Sequence, residues 1–455
     1  MWRPSISRRV TKMCVTDGGL DSSPGASERG NIDPFEHGLS VAIVGSGPSG
    51  CYVAQFLAKQ CPRAAVTIFE SLPTPYGLVR YGVASDHQGA KGVTKQFDRL
   101  FATPNVRFAG NVTIGRDLPF ETLAEAFDVV VLATGLPNDR RLDVPQAPGA
   151  RVVGAGDLLQ ALNSHPHVLL RRDAAGTDAA LGRQIVIVGM GNVAIDVARL
   201  ACKEGDGLIG SDINDTFRQE VLPATPLRVD LLARSSAAQA KCDVSMLREL
   251  LTLPNVETTV CGLETSDSGP IVEVLDEFAN TVQSNACRSD RFAPTKLNLH
   301  FGVALDRIDA RNGQSIVHAR THCGTRVVEI AADTVVTAIG FTEGDDAGVT
   351  CPSASWSGAR VYRVGWLNRG PKGTIPENRK EARRVADAII NDVVDGRVVA
   401  GRRGFSDVEP ILRNRMVSFG DWQKIETFEV QSAPPDRCRR KISDIERMLD
   451  VATAR

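Results

Sequence analysis

The stretch Val41–Gly50 constrains the fold of this 455-residue chain more than any other part of the sequence. It is an apolar run that ends in three spaced glycines, and a helix-like run follows it. Gly45 permits a tight turn, Gly47 lets a pyrophosphate approach the backbone, and Gly50 lets the helix pack closely on the strand. The helix N-terminus then faces the phosphates. The pattern predicts a strand, a turn and a helix that bind a nucleotide, with an ordinary glycine-rich loop as the alternative.

An acidic residue at the end of the next apolar run supports the nucleotide interpretation. The run Val66–Phe69 has the composition of a β-strand, and Glu70 follows it. A carboxylate at this place can accept hydrogen bonds from the two ribose hydroxyls of an adenosine. Strand, glycine turn, helix, strand and acid together predict one complete nucleotide-binding unit.

A second glycine turn follows the apolar run Gln184–Val188. Its first two glycines are Gly189 and Gly191, and Ala194 takes the third position, where alanine is an accepted variant. The next β run leads to Arg234, where an NAD site would carry an acid. A cation at this place suits the 2′-phosphate of NADP. An arginine that is merely solvated at a strand end is the alternative.

Two further apolar runs bracket the second unit. Phe127–Gly135 precedes it and Asp333–Gly340 follows it, and each ends in a small-residue turn. Such runs are typical of strands in a parallel sheet that is covered on both faces. We predict an α/β fold with two Rossmann-like nucleotide-binding domains, the second inserted into the first. The first domain comprises residues 39–140 and 341–455, and the second comprises residues 141–340.

A glycine-rich turn, Gly365–Ile375, comes late in the chain and precedes the helical run Glu381–Val394. A helix N-terminus that points at a ring oxygen stabilises negative charge there, which a reduced flavin requires. The turn is therefore a candidate for the pocket of a flavin ring. For Trp366 taken alone, a packed core aromatic is the alternative.

The N-terminal segment, residues 1–38, differs from the rest of the chain in composition. Its first thirteen residues contain no acid and include the cations Arg3, Arg8, Arg9 and Lys12. This pattern is typical of a short mitochondrial presequence and predicts a location in the mitochondrial matrix. A disordered basic tail is the alternative. The remainder of the segment, rich in glycine and serine, is expected to be unstructured.

Composition argues against several other classes of protein. The formal net charge is −1, so the total charge gives no reason to expect nucleic-acid binding. The sequence lacks an apolar run of about eighteen residues, so no transmembrane segment is predicted, although peripheral membrane association is compatible with it. The ten cysteines include no closely spaced pair, so we predict neither a metal site nor a redox dithiol.

Four motifs give the chain a more specific resemblance. They are Tyr76–Ala84, Gly191–Arg199, Gly365–Pro371 and Val417–Lys424. In this order they resemble the adrenodoxin reductase-type NADPH:ferredoxin reductases, from about residue 40 to the C-terminus. The resemblance implies an enzyme that transfers hydride from NADPH to FAD and then passes single electrons to a [2Fe-2S] ferredoxin of the adrenodoxin kind.

The resemblance also implies the binding residues, with FAD in the first domain and NADP in the second. Those implied for FAD are Gly45, Gly47, Pro48, Ser49, Gly50, Glu70, Leu78, Trp366, Gly373, Thr374 and Ile375. Those implied for NADP are Gly189, Gly191, Asn192, Val193 and Arg234.

The family places a histidine and a glutamate beside the nicotinamide and the flavin, and these correspond to His87 and Glu249. They would orient the nicotinamide ring and polarise its carboxamide, with proton handling as a second interpretation. A structural loop histidine and a solvated helix charge are the alternatives.

The chain departs from the family pattern at a few positions. Ser235 stands where the family has a second arginine after Arg234, which weakens the expected hold on the 2′-phosphate. Ser85 replaces a proline and Gly92 an asparagine. The segment Pro376–Arg379 replaces a run of small hydroxyl or amide residues.

Three alternative functions share parts of this pattern. A pyridine nucleotide:disulfide reductase has both nucleotide units but needs a dithiol near the flavin. The glutamate synthase small-subunit type adds N-terminal cysteine clusters, whereas residues 1–40 contain only Cys14. The third alternative is a flavin-binding scaffold with an impaired NADP site, which the missing second arginine favours.

A ferredoxin partner is acidic, so it should dock on a basic face. Candidate basic clusters are Arg402–Arg403, Arg413–Arg415 and Arg437–Lys441, and each could equally be a solvated surface run. We expect a monomer.

Overall fold

The computed structural model of the protein describes residues 38–168, 180–284, 294–321, 327–343 and 355–454. Its two large sheets are parallel, and each is covered by helices. The second sheet is formed by a stretch of chain that lies between strands of the first. The predicted fold class, two Rossmann-like domains with one inserted into the other, is therefore confirmed.

The strands of the described residues are, in chain order, β1 Ser40–Val44, β2 Ala65–Phe69, β3 Val106–Ala109, β4 Val129–Leu132, β5 Asn138–Asp139, β6 Val152–Gly154, β7 Gln184–Val188, β8 Arg228–Leu232, β9 Val256–Cys261, β10 Thr295–His300, β11 Val303–Arg311, β12 Gln314–Thr321, β13 Val327–Ala332, β14 Thr334–Thr337, β15 Phe341–Thr342 and β16 Val361–Arg363.

The α-helices of the described residues are, in chain order, α1 Pro48–Gln60, α2 Leu78–Tyr81, α3 Gln88–Lys91, α4 Thr94–Phe101, α5 Phe120–Ala126, α6 Ala155–Leu162, α7 Asn192–Cys202, α8 Asp215–Val221, α9 Val244–Leu251, α10 Pro270–Ser284, α11 Trp366–Arg369, α12 Ile375–Val394, α13 Phe405–Leu412, α14 Phe419–Gln431 and α15 Ile445–Thr453. Short 3₁₀ helices span Gly205–Leu208 and Ala237–Gln239.

The first sheet has the strand order β16-β4-β1-β2-β3, with all neighbours parallel. Its central strand, β1, is buried along its whole length because helices cover both faces. Side chains alternate between the faces of a strand. Val41 and Ile43 therefore pack with α1 and α12, while Ala42 and Val44 pack with α5 and α13. The glycine turn after β1 consequently lies at the C-terminal end of the central strand of the sheet.

The second sheet has the order β6-β14-β7-β8-β10-β9 and is also parallel. Ile185 and Ile187 of β7 face the helical layer, which includes α6, α7 and α9. Val186 and Val188 face a three-stranded antiparallel sheet of β11, β12 and β13. The second glycine turn, which follows β7, thus has the same relation to its sheet as the first.

Two very short strands connect the domains. β5 pairs with β15 in antiparallel fashion, with Asp139 opposite Phe341 and Asn138 opposite Thr342. The Asp139 carboxylate also accepts hydrogen bonds from the backbone N–H groups of Gly156 and Asp157, at 3.0 and 2.9 Å, at the start of α6. The chain therefore enters and leaves the second domain side by side. The predicted domain boundaries, residues 140 and 341, stay predictions and fall at this pair.

Candidate active site

The first glycine turn leaves space in front of α1. Gly45 has φ +108°, and a Cβ there would collide with the carbonyl oxygen of Ala133. A Cβ on Gly50 would collide with the carbonyl oxygen of Gly45. At Gly47, by contrast, a Cβ would meet nothing within 4 Å. Two glycines are therefore required by packing, and the middle one borders open space at the helix N-terminus, as a bound pyrophosphate needs.

Glu70 is held in place by the glycine turn. Its Oε2 atom accepts hydrogen bonds from the backbone N–H and the hydroxyl of Ser46, at 3.0 and 2.6 Å. Its Oε1 atom accepts from the hydroxyl of Ser71 at 3.1 Å and from the N–H of Leu72 at 3.2 Å. The Glu70 carboxylate is thus oriented by the glycine turn and by the two residues that follow Glu70. Ser46 was not among the residues named from the sequence. Its position between Gly45 and Gly47 was the available signal that it could contact Glu70.

Leu78 reaches the same region because its neighbours pack on the glycine turn. The N–H of Tyr76 donates to the hydroxyl of Ser46 at 3.1 Å. Gly77 has φ +49°, and a Cβ on it would come within 3.3 Å of the Cα of Gly47. Leu78 follows directly as the first residue of α2.

The late glycine-rich turn also meets α1. Gly365 has φ +77°, and a Cβ there would collide with the Ser49 hydroxyl near the start of α1. Trp366 follows it and stacks on Phe341 with ring centroids 5.3 Å apart and an interplanar angle of 28°. The predicted FAD residues of the glycine turn, of α2 and of this turn therefore surround one region at the N-terminus of α1. Together with the open space at Gly47, this arrangement fits FAD.

The end of the same turn starts a second helix. Gly373 has φ +87°, and Thr374 and Glu377 form a capping box at the N-terminus of α12. Ile375 is the first residue of that helix, which packs along α1. The predicted residues Gly373, Thr374 and Ile375 thus lie at a helix N-terminus, where partial positive charge favours an anionic group.

The second glycine turn repeats the geometry of the first. Gly189 has φ +135°, and a Cβ on it would collide with the carbonyl oxygen of Ala338. Gly191 borders open space, since a Cβ there would meet nothing within 4 Å. Asn192 begins α7 and accepts a hydrogen bond from the N–H of Asp243 at 2.7 Å, whereas Val193 packs against the hydrophobic core. The turn therefore fits the pyrophosphate of a second dinucleotide.

Arg234 lies close in the fold to the second glycine turn. Strands β7 and β8 are paired through Val188 and Leu232, and the N–H of Gly189 donates to the carbonyl of Leu232 at 2.9 Å. Arg234 follows two residues after Leu232 and is exposed. Its position is compatible with a contact to the 2′-phosphate of NADP.

The structure brings His87 and Glu249 together. Nε2 of His87 lies 3.1 Å from Oε2 of Glu249. Both residues line an open cleft of about 470 Å³, whose wall also includes Asn192 of the second glycine turn and Thr374 of the late turn. The cleft therefore joins residues predicted for FAD to residues predicted for NADP.

Two cations, the buried Arg199 and the partly buried Lys203, connect the carboxylates behind this pair. Arg199 forms ion pairs with Asp86, with Asp196 at 2.8 Å and with Glu249 at 3.0 Å. Lys203 lies 2.6 Å from Oδ2 of Asp86 and 2.7 Å from Oε1 of Glu249. Sequence reasoning assigned no role to these cations. Arg199 lies on α7 and Lys203 directly follows that helix. Their spacing of four residues was the available signal that both cations lie on the same face.

These contacts keep two carboxylates ionised. Burial opposes ionisation of Glu249, but hydrogen bonds from Lys203 and His87 and the charge of Arg199 lower its pKa. Asp86 behaves in the same way: burial opposes its charge, while Arg199 and Lys203 lower its pKa. At Asp196 burial outweighs the contact with Arg199, and the pKa is raised.

The potential ligand atoms of Asp86, His87 and Glu249 all lie within 4.8 Å of one another. Such a group could in principle hold a metal ion. The carboxylates, however, already contact Arg199 and Lys203, and these positive charges would repel a divalent cation. The cluster therefore serves better as an ion-pair network.

Comparisons with known proteins identify the family of the chain. The profile of the pyridine nucleotide-disulphide oxidoreductase family matches residues 39–356. Cindoxin reductase of Citrobacter braakii is 38% identical over 94% of this chain and 93% of its own length. NADPH-ferredoxin reductase FprA of Mycobacterium tuberculosis is 30% identical over 90% of this chain and 98% of its own.

A eukaryotic relative and a solved structure are similar over comparable lengths. Mitochondrial NADPH:adrenodoxin oxidoreductase of Salvelinus fontinalis is 28% identical over 98% of this chain and 95% of its own length. The structure of Mycobacterium tuberculosis FprA in complex with NADPH superposes with a TM-score of 0.77 at 28% identity, over 92% of this chain and all of that one.

The fold and its two glycine turns define an oxidoreductase that combines a flavin with a pyridine nucleotide. Within that class, the chain belongs to the adrenodoxin reductase-type family that its motifs resemble, and its cofactors are FAD and NADPH.

Further predictions concern the cysteines, membrane-spanning segments and location of the protein. The six cysteines within the described residues are all free, and Cys51 beside the glycine turn is buried, with its thiol donating to the carbonyl of Ser46. In the described ranges, no helix is long and apolar enough to cross a membrane.

The predicted presequence lies in residues outside the described ranges. Bacterial relatives are among the matches, so the comparisons do not support the mitochondrial location.

Proposed function

We propose that this enzyme transfers hydride from NADPH to FAD and delivers the electrons singly to a [2Fe-2S] ferredoxin. The observation that carries the proposal is the cleft beside the His87–Glu249 pair, which joins the two nucleotide sites through Asn192 and Thr374. A nicotinamide bound from one side can meet a flavin ring bound from the other at this place. Bound FAD supplies the ability to accept two electrons together and release them one at a time.

The protein's own part in the reaction is to bind and orient. The first glycine turn would hold FAD, with Gly47 leaving room for the pyrophosphate and Glu70 next to the adenosine ribose. The second turn would hold NADPH through the open space at Gly191, and Arg234 would bind the 2′-phosphate. Holding the two rings in a productive geometry supplies much of the catalysis in such a step.

His87 and Glu249 would contact the nicotinamide. The Glu249 carboxylate is ionised and accepts a hydrogen bond from the histidine, which fixes the imidazole in the cleft. A fixed imidazole can orient the carboxamide, while Arg199 and Lys203 hold the carboxylate from behind. Neither side chain has to form a covalent bond in this scheme.

The ferredoxin acceptor is supported by the names of the relatives. FprA is an NADPH-ferredoxin reductase and the Salvelinus protein an NADPH:adrenodoxin oxidoreductase, whereas the Citrobacter protein is a cindoxin reductase. Since these names differ in the acceptor, cindoxin is the natural competitor of ferredoxin in a test.

The exposure of the basic side chains favours some of the candidate docking clusters over others. In the cluster Arg437–Lys441, the side chain of Arg437 is largely buried by Asp215 and Asp436, and that of Lys441 is only 1% exposed. Those two side chains are therefore poorly placed to contact a partner. Arg403 keeps 76% of its side chain exposed, so the cluster Arg402–Arg403 is a better candidate for an acidic partner.

The decisive experiment measures acceptor-dependent electron transfer by the purified flavoprotein. NADPH-driven cytochrome c reduction should rise when a [2Fe-2S] ferredoxin is added, and the increase should fall with salt. Parallel reactions with NADH and with cindoxin in place of ferredoxin serve as comparisons. If the rate is indifferent to added ferredoxin while NADPH still reduces the flavin, the proposed acceptor is wrong. If NADPH does not reduce the flavin, the whole proposal fails.

A further inference from the structure

A second group of buried charges lies apart from the cleft, where the two domains touch. Lys91 and Lys441 come from the first domain and Asp212 from the second, and their side chains are 7%, 1% and 3% exposed. Asn163, at the end of α6, completes the group, which we call the domain clasp. The reaction proposed above makes no use of these four residues.

One carboxylate and one amide serve both lysines of the clasp. Nζ of Lys91 lies 2.7 Å from Oδ1 of Asp212 and 2.6 Å from Oδ1 of Asn163. Nζ of Lys441 lies 2.9 Å from Oδ2 of Asp212 and 2.8 Å from the same Asn163 oxygen, and it also donates to the carbonyl of Arg80 at 2.9 Å. Nζ of Lys91 also lies 3.5 Å from the carbonyl oxygen of Arg80, so each ammonium group contacts atoms of both domains.

The clasp contains two lysines and one carboxylate. The neighbouring guanidinium of Arg80 is already paired with Glu429 at 2.5 Å, so Asp212 alone faces two lysines. Burial favours the neutral form of Asp212, but the charges of Lys441 and Lys91 lower its pKa to about 2. Burial and the nearby like charge lower the pKa of Lys441. Removing one lysine would thus leave a balanced pair, whereas removing the carboxylate would leave buried unpaired cations.

Of the two lysines in the clasp, Lys91 is the one that belongs to the segment beside the cleft. Lys91 is the last residue of α3, the short helix that begins directly after His87, and its N–H donates to the carbonyl of His87 at 3.2 Å. Two further bonds hold the chain before His87: the N–H of Asp212 donates to the carbonyl of Ser85, and the amide of Asn163 donates to that of Val83, both at 3.0 Å. The second domain therefore holds the segment 83–91 on both sides of His87.

We propose that the Lys91–Asp212 ion pair positions the segment 83–91, and with it the flavin side of the cleft, relative to the NADPH-binding domain. Lys91 and Asp212 act here as positioning residues, since neither lines the cleft. The inference rests on hydride transfer from NADPH to FAD and does not depend on the final electron acceptor.

Two matched variants test the proposal. Lys91→Met and Lys441→Met remove the same charge from the same buried group, and each leaves Asp212 with one lysine. Lys91→Met should lower the rate constant of flavin reduction at saturating NADPH by on the order of 10- to 100-fold, as expected when reacting groups lose their alignment. Lys441→Met should stay within about twofold of the wild type.

Several readouts separate positioning from general damage. In Lys91→Met we expect full FAD content, unchanged NADPH affinity, a weaker charge-transfer absorbance between NADPH and flavin, and normal re-oxidation by ferricyanide after reduction with dithionite. Equal losses in both variants, or a wild-type rate of flavin reduction in Lys91→Met, would overturn the proposal. If a methionine variant fails to retain FAD, Lys91→Gln and Lys441→Gln replace the pair, because glutamine keeps a hydrogen-bond donor. Flavin reduction must again be slowed in the Lys91 variant and not in the Lys441 variant.

Discussion

The imidazole of His87 and the carboxylate of Glu249 form a 3.1 Å hydrogen bond between residues that are 162 positions apart in the sequence. His87 precedes α3 in the first domain, and Glu249 belongs to α9 in the second. The bond therefore crosses the cleft between the two nucleotide sites. An intact His87–Glu249 hydrogen bond therefore indicates that the two domains keep this relative position.

Glu249→Gln should slow flavin reduction without loss of FAD. Glutamine keeps the shape of the side chain but removes the charge that pairs with Arg199 and Lys203. We expect the rate constant at saturating NADPH to fall on the order of tenfold, the size expected for loss of a hydrogen bond to a charged group. Stopped-flow bleaching of the flavin measures it, with the exposed Glu273→Gln as the control. Wild-type bleaching in Glu249→Gln would remove this residue from the site.

Lys203→Met should change the pH dependence of the same step. Because Lys203 helps to lower the pKa of Glu249, the carboxylate stays ionised as the pH falls until that lowered pKa is reached. Without the lysine the pKa of Glu249 rises, so the acid limb of the profile should move to higher pH by on the order of one unit. Flavin reduction rates measured across the acid range test this, with the exposed Lys241→Met alongside. An acid limb that stays in place would contradict the assignment.

Ser235→Arg should strengthen the preference for NADPH over NADH. The second arginine would lie next to Arg234 at the end of β8, where a 2′-phosphate is expected. A charged hydrogen bond of about 1.5 kcal/mol corresponds to a roughly tenfold lower KM for NADPH, with little change for NADH. Arg234→Ala should act in the opposite direction. The measurement is the ratio of kcat/KM for the two nucleotides, and equal ratios in all three proteins would refute the phosphate site.

Alanine at the two glycines of the second turn should affect different properties, stability at Gly189 and NADPH binding at Gly191. Gly189→Ala places a Cβ against the carbonyl of Ala338 at φ +135°, so it should lower the melting temperature even without ligand. Gly191→Ala places a Cβ in open space, so it should leave the melting temperature unchanged and weaken NADPH binding. Thermal unfolding and NADPH titration distinguish the two. Undiminished NADPH affinity in Gly191→Ala would show that the open space is not the pyrophosphate site.

The two glycine turns could be predicted from the sequence because their geometry is imposed locally. Gly45 and Gly189 adopt positive φ values beside a neighbouring strand, and few other residues can do so. The pairing of His87 with Glu249 is a different case, since only the family resemblance pointed to it. No local pattern brings together side chains from two domains.

Long-range charge pairing explains what the sequence did not reveal. The run Arg437–Lys441 looks like a surface cluster, yet Arg437 pairs with Asp215 and Lys441 with Asp212, each more than two hundred residues earlier, and both side chains are largely buried. The helix expected to begin at Glu381 begins at Ile375 instead. Pro376 lies in the first turn of this helix, where proline is tolerated, and the capping box of Thr374 and Glu377 satisfies the backbone N–H groups at the helix start.

The pairing of β5 with β15 also bears on how such proteins diversify. Because Asn138 lies opposite Thr342, the inserted domain has adjacent ends, and its two covalent connections to the rest of the chain lie side by side. A domain with adjacent ends can be exchanged as one contiguous stretch of sequence without threading through the other sheet. An electron-transfer enzyme of this architecture can therefore acquire a different reductant while its flavin-binding half is inherited unchanged.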